Sequence, residues 1–258
     1  MRLWICGRVR WALYSAIGLA GSFVGSDFAM PRQPFLPQYS NADLFYGPGH
    51  IPKKPKIAEA VGRCIMTWSY VDWQMAMLLA ALMKANSEAS IAIFLTLKNA
   101  RAQREVLVAA AEMTLAGLDR EIFDAIMLLY SSLQSQRADI AHGIFGHITG
   151  GEEDVAPWIA TKSLSKDWID KFHRPKSPDS PEEPDLRLGQ KRLSSIYKLS
   201  DLERLETEIK QLWLIAFSFT SYLQHPGSQT AVTLLQTQCA LPQMVQALSQ
   251  MRNPQNNP

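Results

Sequence analysis

The chain has 258 residues, of which 47% are hydrophobic and 19% are charged, a composition typical of soluble globular proteins. Its 26 basic and 24 acidic residues leave a net charge of +2, which excludes a strongly basic nucleic-acid coat but not a small basic patch on a dimer. Three distant cysteines, Cys6, Cys64 and Cys239, form no CxxC pair. This excludes a disulfide framework and makes a reducing cytoplasm the simplest expectation.

The first 29 residues differ from the rest of the chain. The basic "MRLWICGRVR" is followed by the apolar "WALYSAIGLAGSFVG", a pattern similar to a secretory signal. The apolar stretch is shorter than the roughly 20 residues that a transmembrane helix needs. Three interpretations stay open: export through this segment, a true start at Met30, or a peripheral or membrane anchor. We expect a cytoplasmic protein that meets a membrane only if residues 1–29 are kept.

Hydrophobic periodicity predicts four helices between a proline-rich start and a glutamine-rich end. Six prolines between residues 31 and 55 predict an extended linker over 30–55 rather than a core element. Apolar residues then recur every three or four positions. The predicted helices cover 56–84, 89–116 with a break near Asn99, the stretch from an Asp119 cap to Gly143, and 200–224 after a capping box of Ser200 and Glu203.

A strand-containing insertion is expected before the last helix, at about 150–195. "VAPWIATK" and "KRLSSIYKL" predict short strands, and the proline-rich, charged "HRPKSPDSPEEPDLRLG" predicts a mobile loop over about 163–190. Residues 226–258 are expected to be largely disordered, with a short helix around 241–251 as an alternative. The predicted fold is all-α: an antiparallel four-helix bundle over 56–225 with a small β-hairpin and loop insertion.

The stretch "SQRADIAHGIFG", residues 135–146, places Arg137 and His142 at the end of the third predicted helix. Five residues of α-helix turn through about 500°, which leaves the two side chains about 140° apart. Either the helix unwinds at "AHG", or two copies combine their motifs at a symmetric interface. Asp139 precedes His142 by three residues on the same face, where it is placed to orient the imidazole or raise its pKa. A purely structural alternative also exists, because cations at a helix C-terminus gain about 0.3–1 kcal/mol each from the helix dipole.

"RADIAHG" resembles the Arg-x4-6-His motif of the HEPN superfamily, whose bacterial members often read "RN-x-x-AHG". "WSYVDWQMAMLLAALM", "LKNARAQREVLVAAAE" and "IYKLSDLERLETEIKQL" are similar to the first, second and last helices of that family, so the resemblance covers about 57–224. It implies a homodimeric, metal-independent endoribonuclease without a cofactor, in a defence or toxin–antitoxin setting with an antitoxin or other protein partner. His142 would be the general acid or base, and Arg137 would stabilise the phosphate in the transition state.

One position departs from the family pattern. Family members commonly carry Asn, Asp or His after the arginine, and this chain has Ala138. The alternative function is therefore a non-catalytic HEPN-like module that binds a nucleotide or a protein.

Several other residues are candidates for supporting roles. Asp72, where the family often has glutamate, is expected to pair with Arg137, or else to be a solvated acid. Tyr130 lies two helical turns before Arg137 and either reaches the cleft or packs in the core. Lys98, Arg101 and Arg104 follow at three-residue spacing and either contact RNA phosphates or form a solvated face. His142 and His147 lie on different helix faces, so no metal site is expected.

Overall fold

A computed structural model describes residues 33–34, 42–46, 50–161 and 194–252. The protein is mostly helical, with one small antiparallel sheet. It divides into two compact units. The helical unit takes its described residues from Thr67–Gln134 and Glu208–Pro258, and the mixed unit from Ala29–Met66 and Ser135–Thr207. Residues 1–29 and the predicted 163–190 loop lie outside the described residues.

The four predicted helical regions are confirmed, and Asn99 does divide the second of them. Asn86 and Asn99 each begin a helix, because their side chains accept hydrogen bonds from the backbone N–H groups of Ala89 (3.1 Å) and Arg101 (2.8 Å). The described helices, which follow a 3-10 turn at Ile51–Lys53, are α1 (Pro55–Met83), α2 (Ser87–Thr96), α3 (Ala100–Thr114), α4 (Leu118–His142), α5 (Leu199–Gln224), α6 (Gln229–Cys239) and α7 (Pro242–Arg252).

The caps of α4 and α5 lie two residues before the predicted positions. Helix α5 begins at Leu199, so Ser200 lies in its first turn, and the Asp201 carboxylate accepts a hydrogen bond from the Lys198 N–H at 3.2 Å. Asp201 thus plays the part in the capping box that was predicted for Glu203. Asp119 lies in the first turn of α4 rather than at the cap, where it accepts a hydrogen bond from the Tyr222 hydroxyl at 3.3 Å.

The C-terminal region is more ordered than the sequence suggests. The predicted short helix corresponds to α7, and α6 was not predicted at all. Ser228 caps α6, and both helices bury apolar side chains, including Leu235 and Met244. The glutamine-rich composition suggested disorder, although glutamine is a good helix former. The apolar residues between the glutamines follow the spacing of an amphipathic helix. Residues 253–258 lie outside the described part of the chain.

One antiparallel sheet of five strands forms the centre of the mixed unit. Its order is β1-β5-β4-β3-β2, with β1 at Gln33–Pro34, β2 at Leu44–Tyr46, β3 at Gly143–Ile148, β4 at Val155–Ala160 and β5 at Ser194–Lys198. The two predicted strands correspond to β4 and β5, so the expected hairpin is part of a larger sheet. Every residue of the central strand β4 is buried.

The proline-rich segment differs from the expected linker because it supplies both edge strands. Tyr46 of β2 pairs with Gly146 of β3, where an added Cβ would lie 2.8 Å from the tyrosine ring. Because Gly146 has no side chain, the Tyr46 ring can lie directly over it. The Tyr46 hydroxyl forms a 2.5 Å hydrogen bond with the hydroxyl of Ser194 in β5. Burial raises the pKa of Tyr46 to about 12. The number of prolines in a segment does not indicate whether its residues pair with distant strands, as those of β1 and β2 do.

Among the described residues, no helix combines the length and apolar character needed to cross a bilayer.

Candidate functional site: the end of helix α4

Helix α4 continues without a break through His142, and β3 begins at the next residue. The helix therefore does not unwind at "AHG", which was one of the two expected ways of aligning Arg137 with His142. On a regular helix the two side chains leave the axis about 140° apart.

Gly143 has a packing role that is independent of any chemistry. In the sheet register Gly143 faces Ala160, and Phe145 faces Trp158, so the Trp158 indole lies diagonally across from the glycine. A Cβ added at Gly143 would overlap the atoms Nε1 and Cε2 of that indole. Trp158 is buried and meets the Tyr197 ring edge-on at 5.8 Å, so it has little room to move. The glycine of "AHG" is thus required by the sheet.

Arg137 and His142 have different environments. Arg137 is half-buried, and its Nε is buried with no hydrogen-bond partner among the described residues. His142 is exposed, and its backbone carbonyl accepts a hydrogen bond from the Thr161 hydroxyl. The end of α4 therefore has an accessible imidazole, from His142, and a guanidinium, from Arg137. The Nε–H of that guanidinium has no acceptor among the described residues and is able to donate a hydrogen bond to a ligand.

The structure does not show the expected orientation of His142 by Asp139. Asp139 is half-buried on α4, about 60° around the helix from His142. Within the described part of the chain, the imidazole forms neither a hydrogen bond nor an ion pair. Three-residue spacing places two side chains on one face, but it does not bring them into contact.

Tyr130 and Asp72 belong to the helical unit, whereas Arg137, Asp139 and His142 belong to the mixed unit. Tyr130 is fully buried and stacks on Trp68 with ring centroids 5.4 Å apart. This favours the core-packing interpretation of Tyr130 over the interpretation that it reaches a cleft. Asp72 is half-buried on α1.

The three predicted RNA-contacting cations do not share one helix face. Lys98 lies in the link between α2 and α3, because Asn99 caps α3 and the helix starts at Ala100. Arg101 is exposed and forms an ion pair with Glu105 at 2.7 Å. Arg104 contacts the Ser131 hydroxyl at 3.4 Å. The prediction of a three-residue stripe was wrong for Lys98, since it ignored the helix break.

The surface around Arg104 is more acidic than an RNA groove would be. A cavity of about 560 Å³ between α3 and α4 is lined by one guanidinium, from Arg104, and by three carboxylates. The carboxylates belong to Glu105, Glu112 and Asp124, and the last of these pairs with Arg120 at 2.8 Å. Since Arg101 pairs with Glu105 and Arg120 with Asp124, the charges around this groove balance. The groove therefore lacks the excess positive charge that attracts a phosphate backbone.

The sequence interpretation missed a cluster of titratable groups beside β2 and β3. His147 faces Phe45 across the strand pair, and the Phe45 ring lies 5.7 Å from His50. Burial lowers the pKa of His147, and the positive charges of Lys54, Lys53 and His50 lower it further. His147 lies far along the chain from Phe45, His50, Lys53 and Lys54, and the pairing of β2 with β3 brings it to them.

Among the described residues, His, Cys, Asp and Glu side chains do not gather in a group of three that would hold a metal ion. No family model matches the sequence, and no curated protein or solved structure shows a match to the chain.

Proposed function

We propose that the chain is a HEPN-like helical protein that cleaves RNA without a metal, using Arg137 and His142. The observation that carries this proposal is that the end of α4 holds both an exposed His142 and a half-buried Arg137 whose Nε has no partner among the described residues. A buried guanidinium N–H without a hydrogen-bond partner destabilises the folded chain, and a bound phosphate oxygen would accept that hydrogen bond.

The reaction would be an attack by the RNA 2'-hydroxyl on its own phosphate. An imidazole accepts the hydroxyl proton as the new P–O bond forms, and the bond to the 5'-oxygen breaks. An imidazolium gives a proton to that leaving oxygen, which leaves a 2',3'-cyclic phosphate and a 5'-hydroxyl. Histidine suits proton transfer near neutral pH, and a planar guanidinium binds the phosphate oxygens through two parallel hydrogen bonds.

The geometry of α4 supports two copies at each reaction site. Since Arg137 and His142 diverge by about 140° on one unbroken helix, a single chain does not direct both at one phosphate. A two-fold pair of chains supplies the arginine and the histidine from different copies. The proposal therefore includes a homodimer. A defence or toxin–antitoxin setting, with an antitoxin as a further partner, belongs to the same proposal.

A second candidate function is supported by a different observation. The glycine of "AHG" is explained by its packing against Trp158, and Ala138 stands where the family commonly carries a polar residue. Both features suit a non-catalytic module that uses the same helix end to bind a nucleotide or a protein.

RNA cleavage by the full chain in EDTA, beside His142→Ala, tests the proposal. We expect the parent to form cyclic-phosphate ends, and His142→Ala to be at least about 100-fold slower because general acid–base catalysis is lost. His225→Ala is the matched control, because His225 is also exposed but lies beyond the end of α5. Cleavage that survives in His142→Ala would contradict the assigned role. A folded parent that cleaves none of several RNAs would favour the binding module.

Arg137→Lys sharpens the assignment because it keeps the charge and removes the planar, two-pronged donor set. We expect a large loss of cleavage with little change in thermal unfolding. If Arg137→Lys instead unfolds the protein, Arg137 is a structural residue.

A further inference from the structure

Helix α2 packs inward along one narrow stripe. Of its 10 residues, Ser90 and Phe94 are the buried ones, and they lie four positions apart. The Phe94 carbonyl also accepts a hydrogen bond from the Gln103 side-chain amide of α3 at 3.4 Å. The rest of α2 is exposed or half-buried at the surface of the helical unit, where a helix normally carries charged side chains.

Apolar and small side chains occupy this surface instead. Ile93 and Leu95 flank the buried Phe94 and are 54% and 52% exposed. The side of α2 opposite the buried stripe carries exposed small residues, namely Ala89, Ala92 and Thr96. The Thr96 hydroxyl donates a hydrogen bond to the Ile93 carbonyl at 2.6 Å, so its polar group is already satisfied within the helix. We call these five residues (Ala89, Ala92, Ile93, Leu95 and Thr96) the apolar face of α2.

A lysine lies at each end of the apolar face. Lys84 precedes α2 and Lys98 follows it, and no residue from 89 to 97 is charged. Both lysines are exposed, and within the described part of the chain neither forms an ion pair. The one acid between them, Glu88, lies in the first turn of α2, where the positive end of the helix dipole favours it. The surface thus combines an uncharged apolar centre, about 15 Å long, with a cation at both ends.

Lys84 occupies a backbone position at which glycine is preferred. It follows the end of α1 with a φ of 51°, and the N–H groups of Lys84 and Ala85 donate hydrogen bonds to the carbonyls of Ala81 and Ala80. This is a Schellman motif, in which the left-handed residue is usually glycine because a Cβ is unfavourable there. Among the described residues, the other two with a positive φ are indeed glycines. The turn itself therefore does not explain a lysine, whereas a role for the charged side chain at the surface does.

We propose that α2 lies on the surface of an anionic lipid membrane. The apolar face inserts among the lipid headgroups, and Lys84 and Lys98 extend from its two ends to the negative charges of those headgroups. A protein partner fits this surface less well, because the centres of protein interfaces are rich in aromatic residues and poor in lysine. This contact is separate from the anchor expected at residues 1–29, and it does not depend on the proposed cleavage reaction.

Cosedimentation of the full chain with lipid vesicles tests the inference. We expect binding to vesicles of equal parts phosphatidylcholine and phosphatidylserine. Binding to phosphatidylcholine alone should be about 25-fold weaker, because each of the two lysines contributes about fivefold at an anionic surface. The double substitution Ile93→Ser with Leu95→Ser should weaken binding to the anionic vesicles about 30-fold, since it removes both large side chains of the apolar face.

Met113→Ser is the matched control. Met113 is 86% exposed, but it lies near the far end of α3, about 20 Å along that helix from the link to α2. Removing its apolar side chain should therefore leave binding to both kinds of vesicle unchanged.

Lys84→Gly separates membrane binding from folding. Because glycine is preferred at a φ of 51°, this substitution should not lower the Tm, yet it should weaken binding to the anionic vesicles about fivefold. Circular dichroism should show that the serine double variant is folded. If that variant fails to fold, Lys84→Gly combined with Lys98→Gln decides the question, with an expected loss of about 25-fold.

Three results would overturn the proposal. The full chain could bind neither kind of vesicle, which would favour a protein partner for the apolar face. Binding could survive the double substitution in a folded variant, which would place the membrane contact elsewhere in the chain. Binding to both kinds of vesicle could be equal, which would contradict the role of the lysines. None of these measurements uses RNA, so their outcome is independent of the proposed ribonuclease.

Discussion

The mixed unit and the helical unit use different interactions to stabilise their cores. Among the described residues, the two buried charged side chains, Lys54 and Asp201, both belong to the mixed unit, and Lys54 donates a hydrogen bond to the Glu152 carbonyl. Two strand glycines of that unit, Gly143 and Gly146, lie directly against aromatic rings. We therefore expect a methyl group added at one of these glycines, or a change of pH that alters the charge of a buried side chain, to lower the free energy of unfolding of the mixed unit.

The helical unit buries polar groups of another kind. The described polar side chains in its core are all neutral, namely Gln74, Ser90, Ser218 and Thr220. Aromatic and aliphatic packing surrounds them, as in the Trp68–Tyr130 stack. The helical unit should respond to lost volume or to a lost hydrogen-bond partner, and only weakly to pH.

Two neighbouring residues of the "RADIAHG" motif, His142 and Gly143, also differ in their environments. Gly143 belongs to the close packing of the mixed unit, so its presence is explained without any reaction. His142 is exposed one residue earlier, and within the described part of the chain its side chain forms no hydrogen bond, ion pair or ring contact that would explain it. Substitutions at Gly143 should therefore report on stability, and substitutions at His142 on function.

Gly143→Ala should have the largest effect on stability. The new Cβ would overlap the buried Trp158 indole, and neither the central strand nor the ring has room to shift. We expect the free energy of unfolding, measured by urea titration, to fall by about 3 kcal/mol, the upper end of the cost of overpacking a core.

Gly62→Ala is the control for this prediction within the same unit. Gly62 lies inside α1, and an added Cβ there would meet no atom within 4 Å. Because glycine is a poor helix former, we expect Gly62→Ala to stabilise the protein by about 0.5–1 kcal/mol. Equal effects of the two substitutions would contradict the role assigned to Trp158.

Thr220→Val should have the next largest effect, now in the helical unit. The substitution keeps the side-chain shape but leaves the buried Gln74 amide without its acceptor. An unsatisfied buried polar group costs about 1–3 kcal/mol, and we expect a loss of this size in the free energy of unfolding.

The double variant Gln74→Leu with Thr220→Val then isolates the hydrogen bond. Replacing both partners by apolar groups of similar shape leaves nothing unsatisfied, so much of the stability should return. If the double variant is less stable than Thr220→Val alone, packing rather than hydrogen bonding determines the effect at this position.

The helices were predictable from the sequence because their signals are local. Three- and four-residue apolar spacing located α1, α4 and α5, and the break predicted near Asn99 separates α2 from α3. The missed helix α6 carries the same spacing, but its glutamines suggested disorder. Local pattern thus predicted most of the helical unit.

The sheet was less predictable because its partners lie far apart in the sequence. Strand β3 follows α4 directly, and the short edge strand β2 is recognisable only through its pairing with β3 and the Tyr46–Ser194 hydrogen bond. For the candidate site, the sequence identified Arg137 and His142 and their angular separation. It did not reveal that Gly143 packs on Trp158, or that Lys98 lies outside the helix.

The smallest predicted effect concerns pH and returns to the mixed unit. Burial and the charges of Lys54, Lys53 and His50 hold the pKa of His147 below its ordinary value of 6.5, so the folded chain binds fewer protons there than the unfolded chain. The resulting contribution to stability is present above pH 6.5 and is lost as the pH falls through the folded-state pKa.

In His147→Gln, the free energy of unfolding should fall less steeply between neutral and mildly acidic pH than in the parent. His225→Gln removes an exposed histidine instead and should keep the parent's slope. If both variants keep that slope, another group causes the pH dependence, and the cationic cluster around His147 does not distinguish the mixed unit from the helical unit.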